Sequence, residues 1–333
     1  MPNKKLLALA LAALIGFYIL PQVRAEMELR LAHLPGEEPP AQPEQPHGTG
    51  DYDLRTTVTL LDGDRLLTLS LYEYLCGVLC AELPADFPEE CWKAQAVAAR
   101  SYALYKMERS GPGSHLGAQM CTDYTCCTGY RAPEEALAVW GSGGQELVDR
   151  AEAAVRATDG IVAVYDGAVI GAVWHSASAS HTASAEQVWG GEVAYLREVE
   201  SPGGSDSPKY RQEYRIPLAT VRDRLTAALP GILLAEDPED WLQEPGYSVG
   251  GYLISVRAGG VLLRGSRLRS LLELPSAAVT WQVEGQDLVL TTEGTGHGVG
   301  MSQYGANAMA AEGKTYQEIL QHYYTGITVE SYE

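Results

Sequence analysis

The stretch Leu79–Leu104, LCAELPADFPEECWKAQAVAARSYAL, constrains the fold more than any other part of the chain. Glu82 is a single carboxylate in apolar surroundings, followed by Leu83-Pro84 and a second proline at position 88. The residue before a proline is pushed out of helical geometry. The run Tyr72–Ala81, a short helix or strand entering a core, therefore has to end there. Beyond the turn, Glu89–Glu108 reads as a helix whose alanines suit close packing. A carboxylate leaving such a run is partly desolvated, a setting that suits a general acid. A surface glutamate capping the next helix is the alternative.

A second block lies near the other end. Gly294–Gly313 reads GTGHGVGMSQYGANAMAAEG, with glycines at 294, 296, 298 and 300 around His297. Alternating glycines admit positive φ and close backbone approach. Ser302–Ala311 has helix-forming composition with Gly313 as a terminator. Together these features describe a ligand-contact loop leading into a helix.

Between them, a strand ending at Trp174 delivers His175 and Ser176 to a hydroxyl-rich loop, HSASASHTASAEQVWGG at 175–191. A Ser/His/acid hydrolase is not indicated. No Gly-x-Ser-x-Gly elbow surrounds Ser176, and adjacent Ser and His seldom make a nucleophilic pair.

The three blocks, in this order and over most of Leu54–Val329, resemble the stage II sporulation protein D family. That resemblance implies a membrane-anchored lytic transglycosylase acting on peptidoglycan glycan strands, with Glu82 as its single catalytic group. Lys93, Arg100, His175, Ser176, His297, Gln303 and Tyr304 are then candidate substrate-binding residues. Lys93 and Arg100 lie seven apart on one helix face. They are expected at the edge of the cleft, because a cation beside the carboxylate would oppose its acid role. The family's glycine-rich His-Ser-Thr-x-Gly-Gly form is replaced here by Ala177-Ser178-Ala179-Ser180, which puts those backbone roles in doubt. Asp86, Glu89 or Glu186 could supply a second carboxylate, as an ordinary wall hydrolase would need. A non-catalytic amidase activator, a role ascribed to some relatives, is the remaining alternative. The implied partner is an amidase and endopeptidase of the stage II sporulation protein P type.

A third cluster is His115-x5-Cys121-x4-Cys126-Cys127. Thiolates and an imidazole on a short loop form a ligand set for tetrahedral zinc, and some members of the resembling family carry zinc at such a loop. A disulfide is the alternative in an oxidising exterior. Cys76, Cys80 and Cys91 read as small buried hydrophobes.

The rest of the chain sets the context. Lys4 and Lys5 precede an apolar run, Leu6–Leu20. That run is short for a bilayer span and within the length of a signal-peptide core. The resemblance favours an uncleaved anchor over residues 1–25, with the body outside the cytoplasm; cleavage near Ala25 would make it secreted. Prolines 35, 39, 40, 43 and 46 make 26–50 an extended spacer. A formal net charge of −19 excludes a basic footprint for nucleic acid. Strands and helices from 51 to 330 mix without βαβ alternation, so the expected class is α+β, with a substrate groove in one catalytic body.

Overall fold

The computed structural model describes residues 50–109 and 114–332. The expected anchor and the linker up to residue 49 lie outside them. Among the described residues no helix is long and apolar enough to cross a membrane.

A short helix α1 (Tyr52–Arg55) leads into an antiparallel hairpin, β1 (Thr57–Asp62) and β2 (Arg65–Ser70), as the Asp62-Gly63-Asp64 turn predicts. Ser70 opens α2 (Leu71–Glu82) with a capping box: its hydroxyl accepts from the Glu73 backbone at 3.2 Å, and its own N–H donates to Glu73 at 2.7 Å. Leu83, at φ −111 and ψ 139, ends the helix where Pro84 requires it. The segment that the sequence left open between helix and strand is thus a helix, and Glu82 is its last residue.

The next helix, α3 (Glu89–Arg109), is the axis of the main core. Alanines 94, 96, 98, 99 and 103 are at most 2% exposed, beside buried Trp92 and Val97. Small residues on several faces let elements pack around the whole helix rather than along one stripe. A short strand β3 (Met120–Cys121) runs parallel to β1. Helices α4 (Pro133–Trp140) and α5 (Ser142–Ala157) and strands β4 (Ile161–Tyr165), β5 (Ala168–Val169) and β6 (Trp174–His175) follow. The strand expected to end at Trp174 is broken, because the Ala172 and Val173 N–H groups turn back to the carbonyls of Ile170 and Gly171.

Past α6 (Ala185–Trp189), residues 211–293 build a second, smaller core. Here β7 (Arg211–Pro217) and α7 (Leu218–Ala228) precede β8 (Leu242–Tyr247), β9 (Leu253–Ala258) and β10 (Val261–Arg264). Then come α8 (Gly265–Leu272), β11 (Ala278–Glu284) and β12 (Asp287–Glu293). Two three-stranded sheets, β10-β9-β8 and β11-β12-β7, enclose Trp241, Val256, Leu268 and Leu290. Beyond it, β13 (Met301–Ser302) pairs with β6, α9 (Gln303–Ala311) and α10 (Tyr316–Tyr323) pack on α3, and β14 (Thr328–Ser331) closes on β4. The class is α+β in a single body.

Candidate active site

The three sequence blocks meet through one short parallel pairing. Met301 and Ser302 of β13 lie in register with Trp174 and His175 of β6. Ser302 caps α9 by accepting from Gly305 at 3.2 Å, which sets Gln303 at the first helical position. Three glycines make this approach possible. A Cβ on Gly294 would fall 2.5 Å from the Ala177 carbonyl oxygen. A Cβ on Gly296 would fall 2.6 Å from the His175 Cβ, and one on Gly300 2.2 Å from the Val173 carbonyl oxygen. Both adopt positive φ, +111 and +71. The glycines therefore admit the 173–179 segment, while His297 between them faces open space.

That space is a cleft of about 910 Å³. Glu82 lies on its wall with both carboxylate oxygens held by neutral donors. Gly129 N–H donates to Oε1 at 3.2 Å; Trp174 Nε1–H and Gln303 Nε2–H each donate to Oε2 at 3.1 Å. Gln303 is itself backed by fully buried Gln95, 3.5 Å away. These donors come from a loop, a strand and a helix far apart in the chain, so the carboxylate's position is over-determined.

His175 is buried. Its Nδ1 donates to the Val299 carbonyl at 3.1 Å, leaving Nε2 to accept from the Ser178 hydroxyl at 2.6 Å. Burial pushes its pKa down to about 3, and neighbouring His297 adds to the shift. His297 accepts from the Val299 N–H at 3.1 Å, and burial followed by the Arg269 charge brings its pKa down to about 4. Both imidazoles are neutral at pH 7. The Ser178–His175 pair has no orienting acid among its described partners, and Ser178 is fully buried, so it is a structural pair.

The remaining candidates divide. Gln303 touches Glu82, and His175 and His297 line the cleft. Ser176 and Tyr304 instead build its frame: the Ser176 carbonyl accepts from Tyr304 N–H at 3.0 Å, and the Tyr304 ring stands edge-on to Phe87 at 5.2 Å. Lys93 is engaged by Glu89 and Glu90 at 2.6 and 2.8 Å and does not line the cleft. Arg100 departs furthest from expectation. It is fully buried and bound to Asp53 through Nε at 2.8 Å and Nη2 at 2.6 Å, because its helix face turns into the main core. The seven-residue spacing placed both cations on one face but did not reveal which way that face points.

Sequence reasoning missed Gly129 and Trp174 as partners of Glu82, and Trp189, Tyr124 and Arg269 on the cleft wall. The signal for Trp174 was its place beside His175. Trp189 ends the 175–191 block, and Tyr124 and Gly129 flank Cys126 and Cys127, but nothing in those patterns marked them as cleft wall, and Arg269 lies outside every motif. Among the described residues none of the three carboxylates proposed as a second acid reaches the cleft. Asp86, Glu89 and Glu186 do not line it, and Glu273, which does, is exposed and paired with Arg224 at 2.6 Å.

The ligand atoms of His115, Cys121, Cys126 and Cys127 all lie within 4.8 Å of one another. A tetrahedron with Zn–S bonds of about 2.3 Å has edges of about 3.8 Å, so this donor set fits zinc in number, chemistry and spacing. All six cysteines are free, and Cys76, Cys80 and Cys91 are buried as expected. The loop also forms part of the cleft: Cys126 and Cys127 line it, and Gly129 lies two residues on.

The stage II sporulation protein family model matches residues 64–165. Stage II sporulation protein D of Bacillus subtilis is 34% identical over 261 residues, covering 78% of this chain and 74% of that protein. The chain belongs to the stage II sporulation protein D family. The protein of the same name in Bacillus amyloliquefaciens is 33% identical over 263 residues, with the same coverage. A more distant relative, the amidase enhancer of Bacillus subtilis, is 27% identical over 306 residues and is matched over 40% of its length. Glu82 and Gly129 fall inside the matched span, whereas Trp174, Gln303 and the cleft's far wall lie beyond it.

Proposed function

We propose that this protein is a peptidoglycan lytic transglycosylase. It cleaves the bond between N-acetylmuramic acid and N-acetylglucosamine in peptide-stripped strands, leaving 1,6-anhydromuramic ends. The observation that carries the proposal is one carboxylate, Glu82, fixed by three neutral donors in an open cleft with no second unpaired carboxylate among the described lining residues. Glu82 gives its proton to the glycosidic oxygen as the C1–O bond breaks. The 6-hydroxyl of the same muramic residue then bonds to C1 and returns its proton to Glu82. No water is consumed, so the second carboxylate of a hydrolase has no task. The half-exposed Trp189 ring, 5.4 Å from that of His297, offers an apolar face to a sugar.

Zinc held by His115, Cys121, Cys126 and Cys127 would fill all four tetrahedral positions and supply structure rather than a reacting water. The four ligands would pin the loop that presents the Gly129 N–H to Glu82. The family membership supports an extracytoplasmic body tethered to the membrane and working in sporulation. Its partner would be an amidase and endopeptidase of the stage II sporulation protein P type, which strips the stem peptides.

Mass spectrometry of strands incubated with the full chain tests this. Anhydromuramic ends that vanish with Glu82→Gln are expected; reducing ends would refute the single-carboxylate mechanism. The amidase-enhancer relative favours a second reading, a non-catalytic glycan-binding activator. That reading requires amidase stimulation to survive Glu82→Gln.

A further inference from the structure

The cleft contains one Lys or Arg among its described lining residues, Arg269. It stands on α8, whose Leu268 and Leu272 are buried in the second core. Its Nε donates to the Leu274 carbonyl at 3.1 Å, which orients the guanidinium plane. Among the described residues no carboxylate pairs with it. Glu273, on the same wall, is taken by Arg224. Elsewhere on the body, arginines 197, 211, 215 and 257 each hold a glutamate. An arginine partly withdrawn from water and left without an anion is a costly arrangement unless a ligand supplies one. Its charge is also felt across the cleft, since it helps hold both His297 and His175 neutral. Those imidazoles therefore add no positive charge of their own.

A glycan strand carries hydroxyls and N-acetyl groups, all neutral. The exception is the lactyl ether on muramic acid. With a stem peptide attached, its terminal carbon is a neutral amide; once the peptide is removed, it is a carboxylate. A planar guanidinium matches a carboxylate through two parallel N–H···O bonds. We propose that Arg269 forms a carboxylate subsite that takes the lactyl group of peptide-free muramic acid, and so makes the cleft selective for stripped strands. The role first looked for at Lys93 and Arg100 falls instead to a residue outside every sequence motif. For its substrate the assignment rests on the glycan reading above, but it does not depend on the reaction that follows.

The test compares two tetrasaccharides of alternating N-acetylglucosamine and N-acetylmuramic acid, one with free lactyl carboxylates and one with lactyl methylamides. Binding to the full chain is measured by calorimetry at pH 7, with Glu82→Gln present in every sample so that no turnover intervenes. The free acid is expected to bind about 10- to 100-fold more tightly, the worth of a charge-assisted hydrogen-bonded pair. With Arg269→Gln the ratio should fall to near one, and with Arg269→Lys much of it should return. A structural role alone would not tie the loss to the ligand's charge. Equal binding of the two saccharides, or a preference that survives Arg269→Gln, overturns the assignment. If Arg269→Gln fails to fold, the ratio with Arg269 intact and the Arg269→Lys ratio still decide. Carboxylate-dependent binding, together with a chain that leaves no anhydro ends even with Glu82 intact, would refute the transglycosylase reading and leave the subsite standing. Binding of neither saccharide would refute both.

Discussion

Replacing Asp53 with alanine removes the one carboxylate that, among the described residues, binds the Arg100 guanidinium, which has no access to water. Arg100 and Asp53 side chains are 0% and 1% exposed. Beyond its bidentate pairing, Arg100 has just the Ile161 carbonyl at 3.0 Å and longer contacts to Thr158 and Val155 at 3.4 Å. These neutral acceptors do not compensate a full charge, and breaking a buried pair from one side costs about 3–5 kcal/mol. For a body of this size that corresponds to a melting-temperature drop of roughly 6–20 °C, at about 2–4 °C per kcal/mol. Denaturant unfolding of Asp53→Ala measures the loss directly. A double variant, Asp53→Leu with Arg100→Met, removes both charges and should lie closer to the parent than either single change. A loss below about 1 kcal/mol in Asp53→Ala would refute the reasoning.

Three further outcomes follow from the site. His175 is neutral in the fold down to about pH 3, whereas in the unfolded chain it protonates near 6.5. Its folded pKa is depressed, so its contribution is complete above 6.5 and is lost as pH falls, by about 1.4 kcal/mol per pH unit; an unfolding series from pH 6.5 to 5 in which His175→Asn is as pH-sensitive as the parent would contradict this. A Cβ added at Gly129 would sit 3.0 Å from Glu82 Oε1. Gly129→Ala should therefore cut glycan cleavage at least about 10-fold, a displaced catalytic group being that sensitive, while the melting temperature barely moves; unchanged turnover would show that Glu82 needs no fixed position. Elemental analysis of the full chain should find near-stoichiometric zinc that disappears with Cys121→Ser, and a metal-free protein with its thiols oxidised would remove the metal site.

Much was legible locally, because the signals are local in origin. Leu83-Pro84 ends α2 at Glu82, the Asp62-Gly63-Asp64 turn joins β1 to β2, and the alanines of Glu89–Arg109 mark the central helix. The His/Cys spacing named the residues whose ligand atoms gather, and the motif order identified the family. Contacts between distant segments were not legible. Whether Arg100 meets substrate or Asp53 depends on how α1 packs against α3, 47 positions apart in the chain. Trp174 and Gln303 reach Glu82 across 92 and 221 residues, through a strand pairing two residues long that leaves almost no pattern. The strands of 211–264 were missed as well: β7 alternates half-buried and exposed residues and β8 contains Pro245 and Gly246, so neither shows a continuous apolar run. Sequence alone determined which residues are chemically able to act and where helices begin and end, since propensity, capping and proline stereochemistry act within a few residues. Tertiary structure alone decided which of them share the cleft, because burial, charge pairing and the direction of a helix face depend on what packs against it.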